Sequence, residues 1–178
     1  MALMVILLSL GAPTMAKWSQ GRQIRTAAES IQNGLIMARG EAINRNSKVH
    51  FQFITTASAA CELSQSGPNW GISLDDVDVA GMCDKFLANP ADPSFLQIRT
   101  INEGSPNATI NASVSRIAFN GLGQADSSAV IDISNPNGGT CRAAGGDMPC
   151  LRVTVSKSGQ IRMCDPFEGL PASDPRRC

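Results

Sequence analysis

The chain has 178 residues, 43% of them hydrophobic and only 4% aromatic, which suits one globular domain with an appendage and one modest core but not two domains. Lys plus Arg and Asp plus Glu both number 15, so no global charge draws the molecule toward nucleic acid or an acidic membrane, and any such binding must come from a local patch. A single histidine and six cysteines without C-x-x-C spacing argue against a zinc site and against a thioredoxin-like redox motif.

Met1 to Pro13 is an uncharged run carried by Leu3, Val5, Ile6, Leu7, Leu8 and Leu10 and closed by Pro13. Such a run needs lipid or a protein groove, although at about a dozen residues it falls short of the roughly 20 that a bilayer crossing takes. A signal-peptide core is one reading, but the basic n-region is missing. The other is the end of a longer hydrophobic helix, and the downstream sequence favours it. Ile24, Ala28, Ile31, Leu35, Ala38 and Ala42, with Ile43 beside them, recur at alternating intervals of three and four, the rhythm of an amphipathic helix. Arg22, Arg25, Glu29, Gln32, Arg39 and Arg45 occupy the opposite face. One helix is therefore expected from the apolar segment to about Asn46, bent or loosened near Gly11 and Pro13. The chain divides into a hydrophobic helix segment, 1–20, and a globular domain, 21–178, made of helix 21–46, a β-rich part 48–164 and a tail 165–178.

After the helix the period drops to two. Val49, Phe51 and Phe53 alternate with Lys48, His50 and Gln52, which places the latter three on a polar face. Further strands are expected at Trp70 to Leu74, Leu96 to Ile101, Ser115 to Asn120, Ala129 to Ser134, Leu151 to Val155 and Gln160 to Cys164, the last two joined by a Ser156-Lys157-Ser158-Gly159 hairpin turn. Gly67-Pro68-Asn69 and Asn135-Pro136-Asn137-Gly138-Gly139 read as loops. The fold class is α+β: one long helix laying its apolar stripe on an antiparallel sheet.

Cys61, Cys83, Cys141, Cys150, Cys164 and Cys178 lie in loop-like sequence, so disulfides in an oxidising compartment such as the periplasm or the cell exterior are expected, and they would support a core short of aromatics. Nearest-neighbour pairs, Cys61 with Cys83, Cys141 with Cys150 and Cys164 with Cys178, are favoured because each closes a loop between turn-rich segments. Other pairings within the C-terminal four stay open.

No constellation points to catalysis, a cofactor, a metal or a small-molecule substrate. His50 stands without a motif and reads as a surface residue. Asp75, Asp76 and Asp78 lack the remainder of a calcium loop and read as a solvated turn. Gly121-Leu122-Gly123 and Gly145-Gly146 read as turns, and the sequons at Asn107 and Asn111 as chance matches. Trp18, at the end of the apolar run, suits an interfacial anchor or a contact with a neighbouring subunit.

Three stretches resemble the FimT/GspH-type minor pilins and pseudopilins, on the FimT side. Leu7-Leu8-Ser9-Leu10-Gly11-Ala12-Pro13 is similar to the end of that family's membrane segment. Gln23 to Leu35, with Ala38-Arg39-Gly40-Glu41-Ala42 and Arg45-Asn46, resembles its helix. Arg116 to Gly123, Leu151 to Ser156 and Ser158 to Cys164 resemble its C-terminal strands. The family's basic leader, its Gly-Phe-Thr-Leu-Ile-Glu-type peptidase site and its assembly glutamate are not in this sequence. Aligning on Pro13 implies that the leader and about nine mature residues precede Met1.

The resemblance implies a single-pass inner-membrane protein with a periplasmic domain, drawn into a filament or surface pilus, whose partners are other minor and major pilins or pseudopilins. An apolar helix that trades lipid for neighbouring helices suits that task. A GspH-like pseudopilin of type II secretion and a secreted, disulfide-stapled binding protein are the rival readings. FimT-like members also carry a Gly-Arg-x-Arg motif associated with DNA uptake, which here reads Gly159-Gln160-Ile161-Arg162, the first arginine having become a glutamine without charge. Arg152, Lys157, Gln160, Arg162, Arg176 and Arg177 are thus the DNA-contact candidates on the C-terminal hairpin and tail, provided that a Cys164–Cys178 bond folds the tail back. Asp165, Glu168 and Asp174 in the same tail oppose them, and a solvated hairpin with ordinary arginines is the plainer reading.

Overall fold

The structure, a computed structural model, describes residues 2–67, 69–74, 79–88 and 95–178, without the side chains of 2–14, 16 and 86–88. Pro68, the cluster Asp75, Asp76 and Asp78, and the side chains from Leu3 to Pro13 therefore lie outside the described part. Helix α1, Ala2–Arg45, runs unbroken through Gly11 and Pro13. Its stripe of Ile24, Ala28, Ile31, Leu35, Ala38 and Ala42 is buried as the spacing requires, and burial of each large member contributes roughly 1.5–3 kcal/mol. The helix ends in a Schellman pattern: Asn46 takes φ 48°, its N–H bonds to the carbonyl of Ile43, and the Ser47 N–H bonds to that of Ala42.

Among the described residues eight strands follow: β1 Val49–Ile54, β2 Asn69–Leu74, β3 Phe95–Arg99, β4 Thr109–Ala112, β5 Arg116–Phe119, β6 Ala129–Ser134, β7 Leu151–Val155 and β8 Ile161–Cys164. They form two antiparallel sheets, ordered β3-β2-β1-β5 and β4-β6-β7-β8, where one had been expected. Both bury their inner faces with the α1 stripe in one core, in which Phe51 stacks on Trp70 at 5.2 Å and Trp70 Nε1 donates to Ser30 Oγ of the helix.

The polar face assigned to β1 is not on the surface. His50 and Gln52 are buried, because Cys61, Val79, Cys83, Phe95 and Ile98 gather with Ile54 into a second apolar cluster. Part of that cover is the short helix α2, Cys83–Ala88, tied down by the Cys61–Cys83 disulfide. The Gln52 amide stays satisfied by donating to Ser73 Oγ at 2.8 Å and accepting from the Val79 N–H, as a buried polar group must. Cys141–Cys150 and Cys164–Cys178 complete the nearest-neighbour set.

Candidate functional site

The Cys164–Cys178 bond folds the tail back beside β8, the condition under which the C-terminal cations could assemble. The Asp165 N–H donates to the Arg176 carbonyl and the Cys178 N–H to the Asp165 carbonyl. Arg162, on the outward face of β8, spends its guanidinium on the Pro175 and Arg177 carbonyls at 3.0 and 2.6 Å. Arg177 reaches the Leu170 carbonyl.

The other candidates do not join them. Arg152 makes a two-point bridge to Asp132 across the outer face of the sheet, at 2.7 and 3.1 Å, and that hydrogen bond raises its pKa further. Arg176 closes on Asp174 in the same way, holding that carboxyl down at about 2 through the side-chain bonds first and the Arg176 N–H second. Lys157 and Gln160 are exposed at the hairpin, and Lys157 shares a recess with Lys48 and Asp126. Arg176 instead lines a cleft against Trp18 on the first part of the helix. The six candidates are thus spread over a hairpin tip, a sheet face, the junction of β8 with the tail and a cleft, and two of them, Arg152 and Arg176, are paired with Asp132 and Asp174.

That cleft was not anticipated. It encloses about 770 Å³ between Lys17 to Arg25 of α1 and the loops and tail of the second sheet. Two contacts set its width: Lys17 Nζ lies 3.7 Å from Asp147, and Asn135 at the loop base donates to Gln20. Arg142 forms the opposite wall, 2.7 Å from the buried carboxylate of Asp165 and stacked over Phe167. Arg22 stands 4.8 Å above the Trp18 ring, a cation–π arrangement. Only Trp18 was a signal visible in the sequence; the rest is brought together by tertiary contacts.

The far end of α1 carries a second uncovered surface. Ile36 and Ile43, seven residues apart, are about half exposed, with Met37 beside them and Leu122 exposed on the adjoining loop. Between them Gly40 faces open space. Ile43, placed with the core positions by the sequence, belongs to this outer face. Together they form an apolar strip on the helix flank. Among the described residues, no group of three His, Cys, Asp or Glu side chains could hold a metal ion, and no helix is long and apolar enough to cross a membrane.

The model of the family described as "Type II transport protein GspH" matches residues 27–159. No curated protein matches the chain in sequence. Among solved structures, the type IV minor pilin FimU of Pseudomonas aeruginosa is similar in fold, with a TM-score of 0.54 at 15% identity over 88% of this chain and 98% of that one. The minor pseudopilin EpsH of the Vibrio cholerae type 2 secretion system is similar with a TM-score of 0.51 at 12% identity, over 82% and 99%.

Proposed function

The chain belongs to the GspH family of type II transport proteins, and from that premise we propose that it is a minor type IV pilin of the FimT kind, a non-catalytic subunit that helps prime pilus assembly. Its apolar segment would rest in the inner membrane with the β-rich domain in the periplasm, and would then exchange lipid for the helices of neighbouring pilins. The observation that carries this is the division of labour along α1. One face is committed to the core of its own domain, and the other presents Ile36, Met37 and Ile43, each between 38% and 52% exposed.

A GspH-like pseudopilin of the type II secretion system is the second reading, favoured by the family's description and by the fold likeness to EpsH. Both readings need the same helix and the same assembly surface. Deleting the gene separates them: loss of surface pili with secretion intact supports the pilus role, and loss of secretion with pili intact supports the pseudopilin. Retention of both would contradict the proposal. DNA capture through the C-terminal hairpin and tail is the weaker part of the pilus reading; the folded-back tail supports it, and the carboxylates on Arg152 and Arg176 oppose it.

A further inference from the structure

We infer that the cleft at the base of the domain is a binding site for the phosphate headgroups of anionic phospholipids. The inference rests on the apolar segment being seated in lipid, as proposed above, and adds what the folded domain does there.

Position comes first. Lys17, Trp18 and Arg22 follow directly on the apolar run, and from Lys17 to Arg22 the helix climbs about 7.5 Å, comparable with a headgroup layer of roughly 5–8 Å. The exposed Trp18 indole suits that layer, which favours a ring with one apolar and one polar edge. The Asn135 to Gln20 hydrogen bond ties the base of the loop that leads to Arg142 to the same level of the helix. The Cys164–Cys178 bond does the same for Arg176. The domain therefore brings cations to the plane in which the helix alone would have placed them.

Chemistry comes second. Five cations, Lys17, Arg22, Arg25, Arg142 and Arg176, line the cleft with Asp147 and Asp165, and its lining includes Met148, Leu151 and Met163. Arg25 is paired with Glu29 and Arg176 with Asp174 at the rim, so the excess is one positive charge, and each paired guanidinium keeps N–H groups to offer. Asp165 is occupied by Arg142, and Asp147 is almost fully exposed on a long 3.7 Å pair with Lys17. A phosphate would meet guanidinium groups from two sides, and the glycerol esters below it would meet thioether and aliphatic surface. Arginine forks match phosphate oxygens in geometry as well as charge. A long polyanion fits less well, because the helical wall continues into an uncharged run that offers it no further cation.

The test uses the full chain and vesicles of phosphatidylcholine, alone or mixed with phosphatidylglycerol, with flotation as the readout. The anionic lipid should raise the partition coefficient at least about tenfold at low salt, a gain that added salt screens away. Arg22→Gln and Arg176→Gln, both exposed substitutions outside the core, should each reduce that gain, by up to about fivefold per charge, and leave partition onto phosphatidylcholine unchanged. Equal binding to both vesicles, or a gain indifferent to Arg176→Gln, would overturn the cleft while leaving membrane anchoring standing. Failure to bind either vesicle would overturn the anchoring and the cleft with it. A single-stranded oligonucleotide that displaces the protein from anionic vesicles and loses affinity on Arg22→Gln would overturn the assignment in favour of nucleic acid.

Discussion

Two glycines in one helix should answer the same substitution with opposite signs. Replacing Gly by Ala inside a helix ordinarily stabilises by about 0.5–1 kcal/mol, because the unfolded chain loses freedom and the helix gains a better former. Gly40 faces open space, so Gly40→Ala should realise that gain. At Gly34 a methyl would come within 2.8 Å of both Phe51 and Trp70. Those rings are stacked on each other and Trp70 is anchored to Ser30, so neither can swing aside cheaply. Overpacking of this kind costs about 1–3 kcal/mol. Set against the propensity gain, Gly34→Ala should lose about 1–2 kcal/mol. For a chain of this size that is a fall in Tm of about 2–8 °C, whereas Gly40→Ala should raise it by about 1–4 °C. Thermal unfolding followed by circular dichroism reads both. Equal rises for the two variants would refute the claim that the helix is pressed onto the aromatic pair through a position that only glycine fits.

Removing Cys61–Cys83 should cost more than removing Cys164–Cys178. The loops span 22 and 14 residues, worth about 3.4 and 3.0 kcal/mol in chain entropy, and the first bond also holds the cover over His50 and Gln52. Urea midpoints of the two paired Cys→Ala variants give the comparison, and a midpoint unmoved by loss of Cys61–Cys83 would contradict it. The Asp174 carboxyl is held at about 2 against an ordinary 3.8. A folded-state value below the unfolded one stabilises above about pH 4, and that contribution is lost as the pH falls through 2. Carboxyl NMR should show the low midpoint, and Arg176→Gln should return it toward 3.8; a midpoint near 3.8 in the unaltered chain would exclude the bridge. Duplex DNA should be retained weakly in gel shifts, since Arg152 and Arg176 are already paired. Tight binding that weakens with salt and on Arg162→Ala with Arg176→Ala would restore the hairpin and tail as a DNA site.

The helix and its buried stripe were legible because a period near 3.6 over Ile24 to Ala42 has no other good explanation. Seven of the eight described strands after it coincide with expected ones, carried by alternation or β-branched runs. The Ser156 to Gly159 turn was legible as well: Gly159 takes φ 81° and packs against the Gly123 carbonyl where a side chain would not fit. Misreadings arose where tertiary context decides. Alternation along β1 is real, yet it signals two different burials, one by α1 and one by a disulfide-held cover that no local pattern announces. Strand β4, four residues flanked by loops, is not expected from the sequence; its outward positions Thr109 and Asn111 fall within the two chance sequons that begin at Asn107 and Asn111. Short α2 carries no amphipathic period to read. The Cys164–Cys178 bond folds the tail back as the cysteine order suggested, but Arg152 on β7 is paired with Asp132 of β6, a partner no local pattern announces, and Arg176 with Asp174, which reads in the sequence only as a nearby opposing charge. The cleft was not legible because its helical wall, Lys17 to Arg25, and its opposite wall, Gly138 to Arg176, are more than 100 residues apart along the chain.

The central claim, that the uncovered flank of α1 is where this subunit meets other pilins or pseudopilins, can be measured directly by placing a photo-crosslinking amino acid at position 36 or 43 in cells. The account predicts adducts with other filament subunits, and markedly fewer from an exposed control position on the outer sheet face such as Thr154. Adducts absent at both flank positions, or equal in yield to those from the control, would contradict it.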